Sequence, residues 1–359
     1  MKSIFKGVLS MCLACAVCVS VTAVTNTKTA EGATGYYSQI TATSGTKLLG
    51  QLHDLITTTH IKYTSYADCK DVSIVMQTDK GSATNTLMEF YTQEDISSTW
   101  DGTRAGTWNR EHLWCKSLSE GLWKDVSNST RSGGTDLHHI RPAEYQLNST
   151  RGNKLYGEVE NGTEAYSLGL SGQKQYLGGY TNGNVFEPLD KVKGDVARIV
   201  LYVYVHYNTY ANVYGSTNGS GQKSCFGTLK FTDVISTKNE EAAISLLLKW
   251  NESDPVDSIE TTRNDVIYGI QGNRNPFIDH PEYANAIWGK GSVEPEKPEN
   301  SKTENFKDAV DRIVKTGVLA KRLQSINSAI EIYETLSETD KAEVAEEIIA
   351  LKSAIDEYN

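Results

Sequence analysis

Cysteine is scarce in this chain, and where it occurs limits its possible roles. The 359 residues include six cysteines. Three of them, Cys12, Cys15 and Cys18, lie in an apolar stretch near the amino terminus. The others, Cys69, Cys115 and Cys225, allow one disulfide and leave one thiol over, so their pairing stays open. None of these three forms a Cys-x-x-Cys pair, which argues against a structural zinc site.

A second long apolar run is also missing. The one such run covers residues 8–24, and Lys2 and Lys6 precede it. A basic start, an apolar centre and small residues before a cleavage point predict a secretory signal peptide over residues 1–23, with an uncleaved membrane anchor as the alternative. No other run is long enough to span a bilayer. We therefore expect a secreted, extracellular protein with no membrane partner after processing.

Excess positive charge is absent as well. The chain has 35 Lys and Arg against 45 Asp and Glu, a formal net charge of −10. A protein that coats nucleic acid depends on a basic surface, so this class is excluded. An enzyme that contacts a few phosphates briefly is not excluded, because a bound divalent cation supplies part of the positive charge. The length suits one sizeable domain with an appendage.

Two segments carry most of the chemistry that the sequence does contain. Residues 109–114 are Asn-Arg-Glu-His-Leu-Trp, and residues 136–153 begin Asp-Leu-His-His-Ile-Arg-Pro. A neutral imidazole such as that of His112 can take a proton from water near pH 7. The carboxylate of Glu111 and the amide oxygen of Asn148 are ligands that suit Mg²⁺ or Ca²⁺. Together they indicate metal-assisted hydrolysis of a phosphodiester.

These segments resemble the endonuclease I family of secreted bacterial nucleases, which includes extracellular ribonucleases and belongs to the ββα-metal, or His-Me finger, superfamily. The resemblance covers about residues 35–290, because Arg263-Asn264 and the run Gln-Gly-Asn-Arg-Asn-Pro-Phe at 271–277 also resemble the family's carboxyl-terminal motif. It implies an α+β fold with a ββα-metal core. It also implies a metal-dependent, largely sequence-nonspecific endonuclease that acts on DNA, RNA or both.

The same resemblance implies roles for individual residues. His112 would be the general base, Glu111 and Asn148 would be metal ligands, and Arg151 would contact the phosphate as a catalytic residue or brace the fold. Water deprotonated by His112 would attack the phosphate, and a divalent cation would stabilise the leaving 3′ oxygen, giving 5′-phosphate products. Mg²⁺ is the expected cofactor, with Ca²⁺ or Mn²⁺ as alternatives.

Other polar residues in the second segment have weaker claims. His139 and Arg141 are further candidates for substrate binding. Because His138 and His139 are adjacent, at most one of them faces the site, and the other is expected to be a buried, hydrogen-bonded histidine. Asp136 is expected to be structural rather than a ligand.

The local pattern around the two segments predicts strand, loop, strand and helix. Residues 108–114 and 135–141 are the expected strands, Pro142 is expected to open a short helix, and Gly152 is expected to end it. Neighbouring side chains on a strand point to opposite sides. Glu111 and His112 can therefore serve one site only if the strand ends or bulges there.

The remaining pattern predicts a mixed α+β domain at residues 34–290. Helices are expected at 47–56, 196–207, 245–250 and 258–270, a strand at 72–76, and a surface excursion at 157–184. A charged, proline-bearing linker at 291–302 precedes three apolar stripes that predict a helical module at 303–359. Ser337 and Asp340 fit the cap of its last helix.

Two other classes of protein are alternatives. A secreted surface or matrix-binding protein could use an inactive nuclease core, with the helical module binding a cell wall or a protein partner. A metalloprotease would need a His-Glu-x-x-His helix, which the sequence lacks. The preference for DNA or RNA, the identity of the metal, the role of the module and the oligomeric state stay open.

Overall fold

The computed structural model describes residues 35–119, 123, 127–169, 175–208, 228–293, 307, 310, 333, 334 and 336–358. The helices are α1 Gly45–Thr59, α2 Val72–Thr78, α3 Tyr145–Arg151, α4 Asp190–Tyr207, α5 Glu240–Ser253, α6 Ser258–Gln271, α7 Pro276–Asp279, α8 Glu282–Trp288, α9 Glu338–Glu343 and α10 Ala345–Tyr358. The strands are β1 Thr86–Met88, β2 Asp95–Ser97, β3 Trp108–His112, β4 Ile140–Glu144, β5 Leu155–Tyr156, β6 Thr163–Leu168, β7 Gln175–Asn182 and β8 Val185–Pro188. The fold is of the mixed α+β class, as predicted.

The described strands form three small sheets. Strands β1 and β2 pair antiparallel, and so do β3 and β4. The third sheet has the order β5-β8-β7-β6, in which β5 runs parallel to β8 and the other pairs are antiparallel. In the β3–β4 pair, Glu111 lies opposite Arg141 and His112 lies opposite Ile140. The two sequence segments at 109–114 and 136–153 therefore contain neighbouring strands, and α3 follows directly on β4.

Helix α4 is the centre of the hydrophobic core. Val196, Val200 and Val203 are fully buried, although β-branched residues are weak helix formers. Burial against other elements, rather than helix propensity, sustains such a helix. The polar exception Arg198 donates to the Glu260 carboxylate at 2.6 and 2.7 Å, which ties α4 to α6. The prediction of a buried helix here is confirmed.

Several of the predicted elements are wrong. Residues 72–76 lie in helix α2 instead of a strand, because the Asp71 carboxylate accepts a hydrogen bond from the Ser73 amide at 2.8 Å and caps the first turn. A short apolar run fits either structure, so the cap decides. Residues 157–184 are not simply a surface excursion, since they supply β6 and β7 to the four-stranded sheet.

The second predicted strand and the helix after it both begin later than predicted, since β4 covers Ile140–Glu144 instead of residues 135–141. Pro142 lies inside β4, opposite Arg110, rather than opening a helix. Strand β4 has β3 as its one partner in the sheet, and proline is tolerated in such an edge position. Glu144 is the actual cap, because its carboxylate accepts from the amides of Gln146 and Leu147. Gly152, with φ of 55°, ends α3 as predicted.

The ends of the expected domains are only partly described. The predicted signal peptide at 1–23, most of the linker at 291–302, most of the first two apolar stripes and Cys225 lie outside the described residues. Cys69 and Cys115 are free thiols. The Val293 amide donates to the Thr43 carbonyl at 2.9 Å, so the core reaches past residue 290.

Two further helices lie in the described part of the carboxyl-terminal region. Ser337 and Asp340 form the expected capping box at the start of α9, and α10 follows it. Within the part of the chain that the structure describes, no helix is long and apolar enough to cross a membrane.

Candidate active site

The His112 ring is held in one tautomer by a backbone carbonyl. His112 is the last residue of β3, is 5% exposed, and its Nε2 lies 2.9 Å from the Gly134 oxygen. A carbonyl oxygen only accepts, so Nε2 carries the proton and Nδ1 keeps its lone pair. Burial, with further contributions from His139 and Lys116, lowers the pKa of His112 well below its usual value. The ring is therefore neutral, with Nδ1 able to accept a proton.

The Gly134 carbonyl is positioned by a tight turn at Gly133–Thr135. Ser132 caps this turn, since its hydroxyl accepts from the Gly134 amide at 3.2 Å while its own amide donates to the Thr135 hydroxyl at 2.9 Å. Trp123 packs so closely that a Cβ added at Gly134 would lie 2.7 Å from the Trp123 Cβ. The two glycines in this turn are thus a packing requirement.

His139 fixes the same turn from the other side. Its Nδ1 lies 2.8 Å from the Gly133 oxygen, and its Nε2 accepts from the Trp114 amide at 2.9 Å. His139 is fully buried. His138 is also buried, with Nε2 at 3.2 Å from the Asn273 oxygen. The structure therefore places both histidines in backbone contacts, although His139 was expected to touch substrate.

Glu111 and Arg151 form a buried pair beside the end of β3. The Glu111 Oε1 atom accepts from the Tyr91 hydroxyl at 2.6 Å and lies 3.2 Å from Arg151 Nη1. Burial raises the pKa of Glu111 above its usual value, although the Arg151 charge opposes this shift. Arg151 is fully buried and donates to the carbonyls of His112 at 3.3 Å and Leu113 at 3.0 Å. Its guanidinium thus holds the chain where β3 ends.

Asn148 reaches the same side of β3 from α3. Its Nδ2 donates to the Asn109 Oδ1 at 2.6 Å, and its own Oδ1 takes no part in this bond. Asn109 and Glu111 share one face of the strand because they are two residues apart. The structure therefore brings two side-chain oxygen atoms that could bind a metal ion, from Glu111 and Asn148, to the α3 side. By the alternation of a strand the His112 side chain leaves the other face, together with that of Arg110, so His112 can serve the same site as Glu111 only at the end of β3, where it lies.

Arg141 belongs to a buried ion cluster. It is 4% exposed, and its Nε lies 2.8 Å from the Asp79 Oδ1. Arg263, from the expected carboxyl-terminal motif, contacts the same oxygen at 3.0 Å and donates to the carbonyls of Leu137 and Ile140. The two arginines therefore join β4, α2 and α6, and this part of the predicted motif holds the framework together.

Asp136 is the centre of a second buried network. Its carboxylate accepts hydrogen bonds from four groups: the Tyr202 and Tyr207 hydroxyls at 2.6 Å each, the Gln271 amide at 2.9 Å and the His138 amide at 2.9 Å. Burial opposes ionisation, but the nearby His60, His138 and His206 outweigh it and lower the pKa of Asp136. Asp136 therefore anchors this hydrogen-bond network.

Two histidines extend this network into a cluster that could hold a metal ion. His60 Nδ1 lies 2.8 Å from His206 Nε2. Ligand atoms of His60, Asp136 and His206 all lie within 4.8 Å of one another, and all three residues are buried. Among the residues that the structure describes, none offers a hydrogen-bond partner to the buried His60 Nε2.

Three residues that matter to the geometry were missed by sequence reasoning. Gly134 acts through its backbone carbonyl, so no side chain could have indicated it. Tyr91 lies outside both segments, and its contact with Glu111 depends on the tertiary fold. Asn109 stood within the first segment, and its spacing of two residues from Glu111 was the available signal.

Known proteins are similar in sequence to most of the described core. The sequence model of the family described as endonuclease I matches residues 34–282. An extracellular ribonuclease of Bacillus amyloliquefaciens is 40% identical over 260 residues, which are 70% of this chain and 78% of the relative. An extracellular ribonuclease of Bacillus subtilis is 35% identical over 259 residues, with the same coverage of 70% and 78%. An extracellular deoxyribonuclease of Aeromonas hydrophila is 28% identical over 144 residues, which are 40% of this chain and 49% of the relative.

Proposed function

This chain belongs to the endonuclease I family and is a secreted nuclease, and we propose that it hydrolyses phosphodiesters of DNA, RNA or both at the site around His112. Both nucleic acids are included because the relatives are named ribonucleases and a deoxyribonuclease. The alternative of a binding protein on an inactive core gains no support from these relatives, which are all named as nucleases.

One observation carries the assignment of the base: the 2.9 Å contact between His112 Nε2 and the Gly134 oxygen. This contact leaves Nδ1 unprotonated, and burial keeps the imidazole neutral at physiological pH. His112 Nδ1 then accepts a proton from the attacking water. General base catalysis of this kind typically contributes about 10²- to 10⁴-fold to the rate.

The oxygens of Glu111 and Asn148 fit a hard divalent cation, and we assign Mg²⁺ to them. Glu111 offers Oε2, which takes no part in the contacts with Tyr91 and Arg151, and Asn148 offers Oδ1, which its bond to Asn109 leaves available. Such a cation, when bound, supplies positive charge to the scissile phosphate and to the leaving 3′ oxygen. With α3 on one side of the β3–β4 pair, this arrangement supports a ββα-metal core.

The buried His60, Asp136 and His206 cluster fits this ion less well. Two imidazole nitrogens favour softer metals over Mg²⁺, and the Asp136 carboxylate already accepts four hydrogen bonds. We therefore assign the catalytic cation to Glu111 and Asn148.

Arg151 and His139 are assigned as positioning residues. Arg151 is fully buried, and its donors are directed to Glu111 and to the carbonyls at the end of β3. His139 holds the turn that carries Gly134. Arg141 is paired with Asp79, which leaves its expected role in substrate binding without support. Contacts to the substrate must therefore come from other cations.

The test compares His112→Ala with the wild-type protein on plasmid DNA and on RNA, with Mg²⁺ and with a chelator. His53→Gln is a matched control, because His53 lies on α1 and contacts the Val205 carbonyl instead of the site. We expect His112→Ala to stay folded and to lose about 10²- to 10⁴-fold in rate on both substrates. Near-full activity in this variant would remove His112 from the mechanism.

A further inference from the structure

Next to His112 lies a group of cations and aromatic rings, which we call the Arg110 strip: Tyr66, Lys70, Trp100, Arg110 and Lys116. Arg110 is two residues before His112 on β3, so both side chains leave the same face, with their Cα atoms about 7 Å apart. The Tyr66 ring lies 5.8 Å from the His112 ring, measured between centroids. The strip is thus continuous with the proposed general base.

The rings hold the cations in place. The Arg110 guanidinium carbon lies 3.4 Å from the centroid of the Tyr66 ring and 5.0 Å from that of Trp100. Lys70 Nζ lies 5.3 Å from the Trp100 ring, and Lys116 Nζ lies 5.7 Å from the Tyr66 ring. Contacts of this type stabilise a cation and leave its N–H groups available.

None of these three cations has a carboxylate partner within 4 Å among the described residues. This is notable in a chain of net charge −10, where acidic groups outnumber basic ones. By contrast, Arg141, Arg151 and Arg198 are buried and paired with carboxylates. The strip therefore concentrates unneutralised positive charge beside the site.

The guanidinium of Arg110 also retains unused donors. Nη1 donates to the Tyr66 carbonyl, whereas Nη2 donates to no group among the described residues. A guanidinium has five N–H groups in a fixed plane, a geometry that matches two oxygens of a phosphate. Stacking on Tyr66 restricts this plane before any ligand binds, which reduces the entropy lost on binding.

We propose that the Arg110 strip binds the phosphodiester backbone of the substrate at the nucleotides that flank the scissile phosphate. Arg110 contacts one flanking phosphate, and Lys70 and Lys116 add charge on either side of it. This inference rests on the proposed nuclease function at His112. It makes the strip, rather than Arg151 or Arg141, the part of the chain that grips the strand.

The experiment compares Arg110→Ala and Arg110→Lys with wild type on a short fluorescent oligonucleotide and on bis(4-nitrophenyl) phosphate, which has a single phosphate. Lys238→Ala is the control for net charge, because Lys238 is exposed on the turn before α5. For Arg110→Ala we expect KM on the oligonucleotide to rise about 10-fold and the slope of log affinity against log salt to fall by about 1. Arg110→Lys should lie between the two, and the effect on the single-phosphate ester should be much smaller.

Several results would overturn the proposal. One is an unchanged KM and salt slope in Arg110→Ala, and another is an equal loss of kcat on both substrates, which would indicate a role in folding or chemistry. If Arg110→Ala melts early, Lys70→Ala must show the same direction of change in KM and salt slope. Fluorescence anisotropy of the oligonucleotide in chelator measures binding without cleavage, so the strip is tested even if the nuclease assignment fails.

Discussion

At the scale of single residues, partner atoms decide which atom of each functional side chain is available. The Gly134 carbonyl determines that His112 presents Nδ1, and Asn109 determines that Asn148 presents Oδ1. The sequence could indicate His112 and Asn148 because their chemistry belongs to the side chain. It could not indicate Gly134, since a backbone carbonyl exists at every position and only the fold selects one.

We predict that Asn109→Ala weakens metal binding although Asn109 is not assigned as a ligand. Without its acceptor, the Asn148 amide loses its fixed orientation, and loss of such a supporting contact typically costs about 10- to 100-fold in metal affinity. Titration of activity with Mg²⁺ measures the change, and Asn148→Ala should show the same defect. Asn109→Asp keeps an acceptor and is the control. A common metal requirement in all four proteins would contradict the ligand assignment.

A pH-dependent contribution to stability is expected from Glu89. This residue is fully buried, and burial raises the pKa of its carboxyl from 4.5 to about 7, although Thr92 donates to it from its amide and hydroxyl. Between these two values the unfolded chain has released a proton that the folded protein keeps. The free energy of unfolding therefore falls by about 3 kcal/mol as pH rises through this window.

Glu89→Gln removes this ionisation and serves as the test. Urea unfolding of both proteins at about pH 5 and about pH 8 should show the variant gaining stability relative to wild type at the higher pH. A difference between the two proteins that stays constant with pH would show that Glu89 does not ionise in this window.

At the scale of elements, the turn at Gly133–Thr135 connects the site to the framework. Asp136, directly after it, accepts from Tyr202 of α4 and from Gln271 at the end of α6. Gln271, the first residue of the motif identified at 271–277, thus helps to hold this turn although it is far away in sequence. The motif was recognisable from the sequence, but its role depends on contacts over more than 130 residues of chain.

We predict that Gly134→Ala lowers kcat strongly while the protein stays folded. The added Cβ would meet Trp123 at 2.7 Å, so the turn must shift and the carbonyl would leave His112 Nε2. A displacement of about 1 Å in a catalytic contact can cost on the order of 10²-fold in rate. Gly269→Ala on α6 is the control, because nothing lies within 4 Å of its added Cβ. Equal kcat in the two variants would show that the turn does not position the base.

The elements that were predicted wrongly share a physical cause. The apolar run at 72–76 is compatible with a helix or a strand, and the capping contact from Asp71 stabilises the helix. Pro142 is compatible with the first turn of a helix and with an edge strand, and pairing with β3 stabilises the strand. Longer segments such as α1, α4 and α6 were predictable because their apolar spacing extends over several turns.

At the scale of the whole molecule, charge is unevenly distributed. The net charge of −10 favours solubility and repels nucleic acid at long range, whereas the Arg110 strip attracts it locally. Composition alone could exclude a coating protein but could not reveal this strip, because its residues are separated by up to 50 positions and meet only in the fold.

We predict that truncation after Val293 leaves a folded and active nuclease. Val293 is kept because its amide donates to the Thr43 carbonyl, and the charged, proline-bearing segment that follows is expected to carry few contacts. The helical module would then serve localisation, so its removal should change binding to cells more than turnover of free nucleic acid. Thermal melting and activity of the truncated protein check this. Loss of either would show that the module is part of the catalytic fold.

Identification of the ends of the cleaved strand tests the central claim most directly. If His112 activates water, wild-type protein with Mg²⁺ should cut an RNA oligonucleotide to fragments with 5′-phosphate and 3′-hydroxyl ends, and replacing the 2′-hydroxyl at the cleavage position with hydrogen should not prevent cleavage. Mass spectrometry of the fragments distinguishes the ends. Fragments with 2′,3′-cyclic phosphates, or cleavage that continues in chelator, would show that the 2′-hydroxyl or a metal-independent route performs the reaction and would contradict this mechanism.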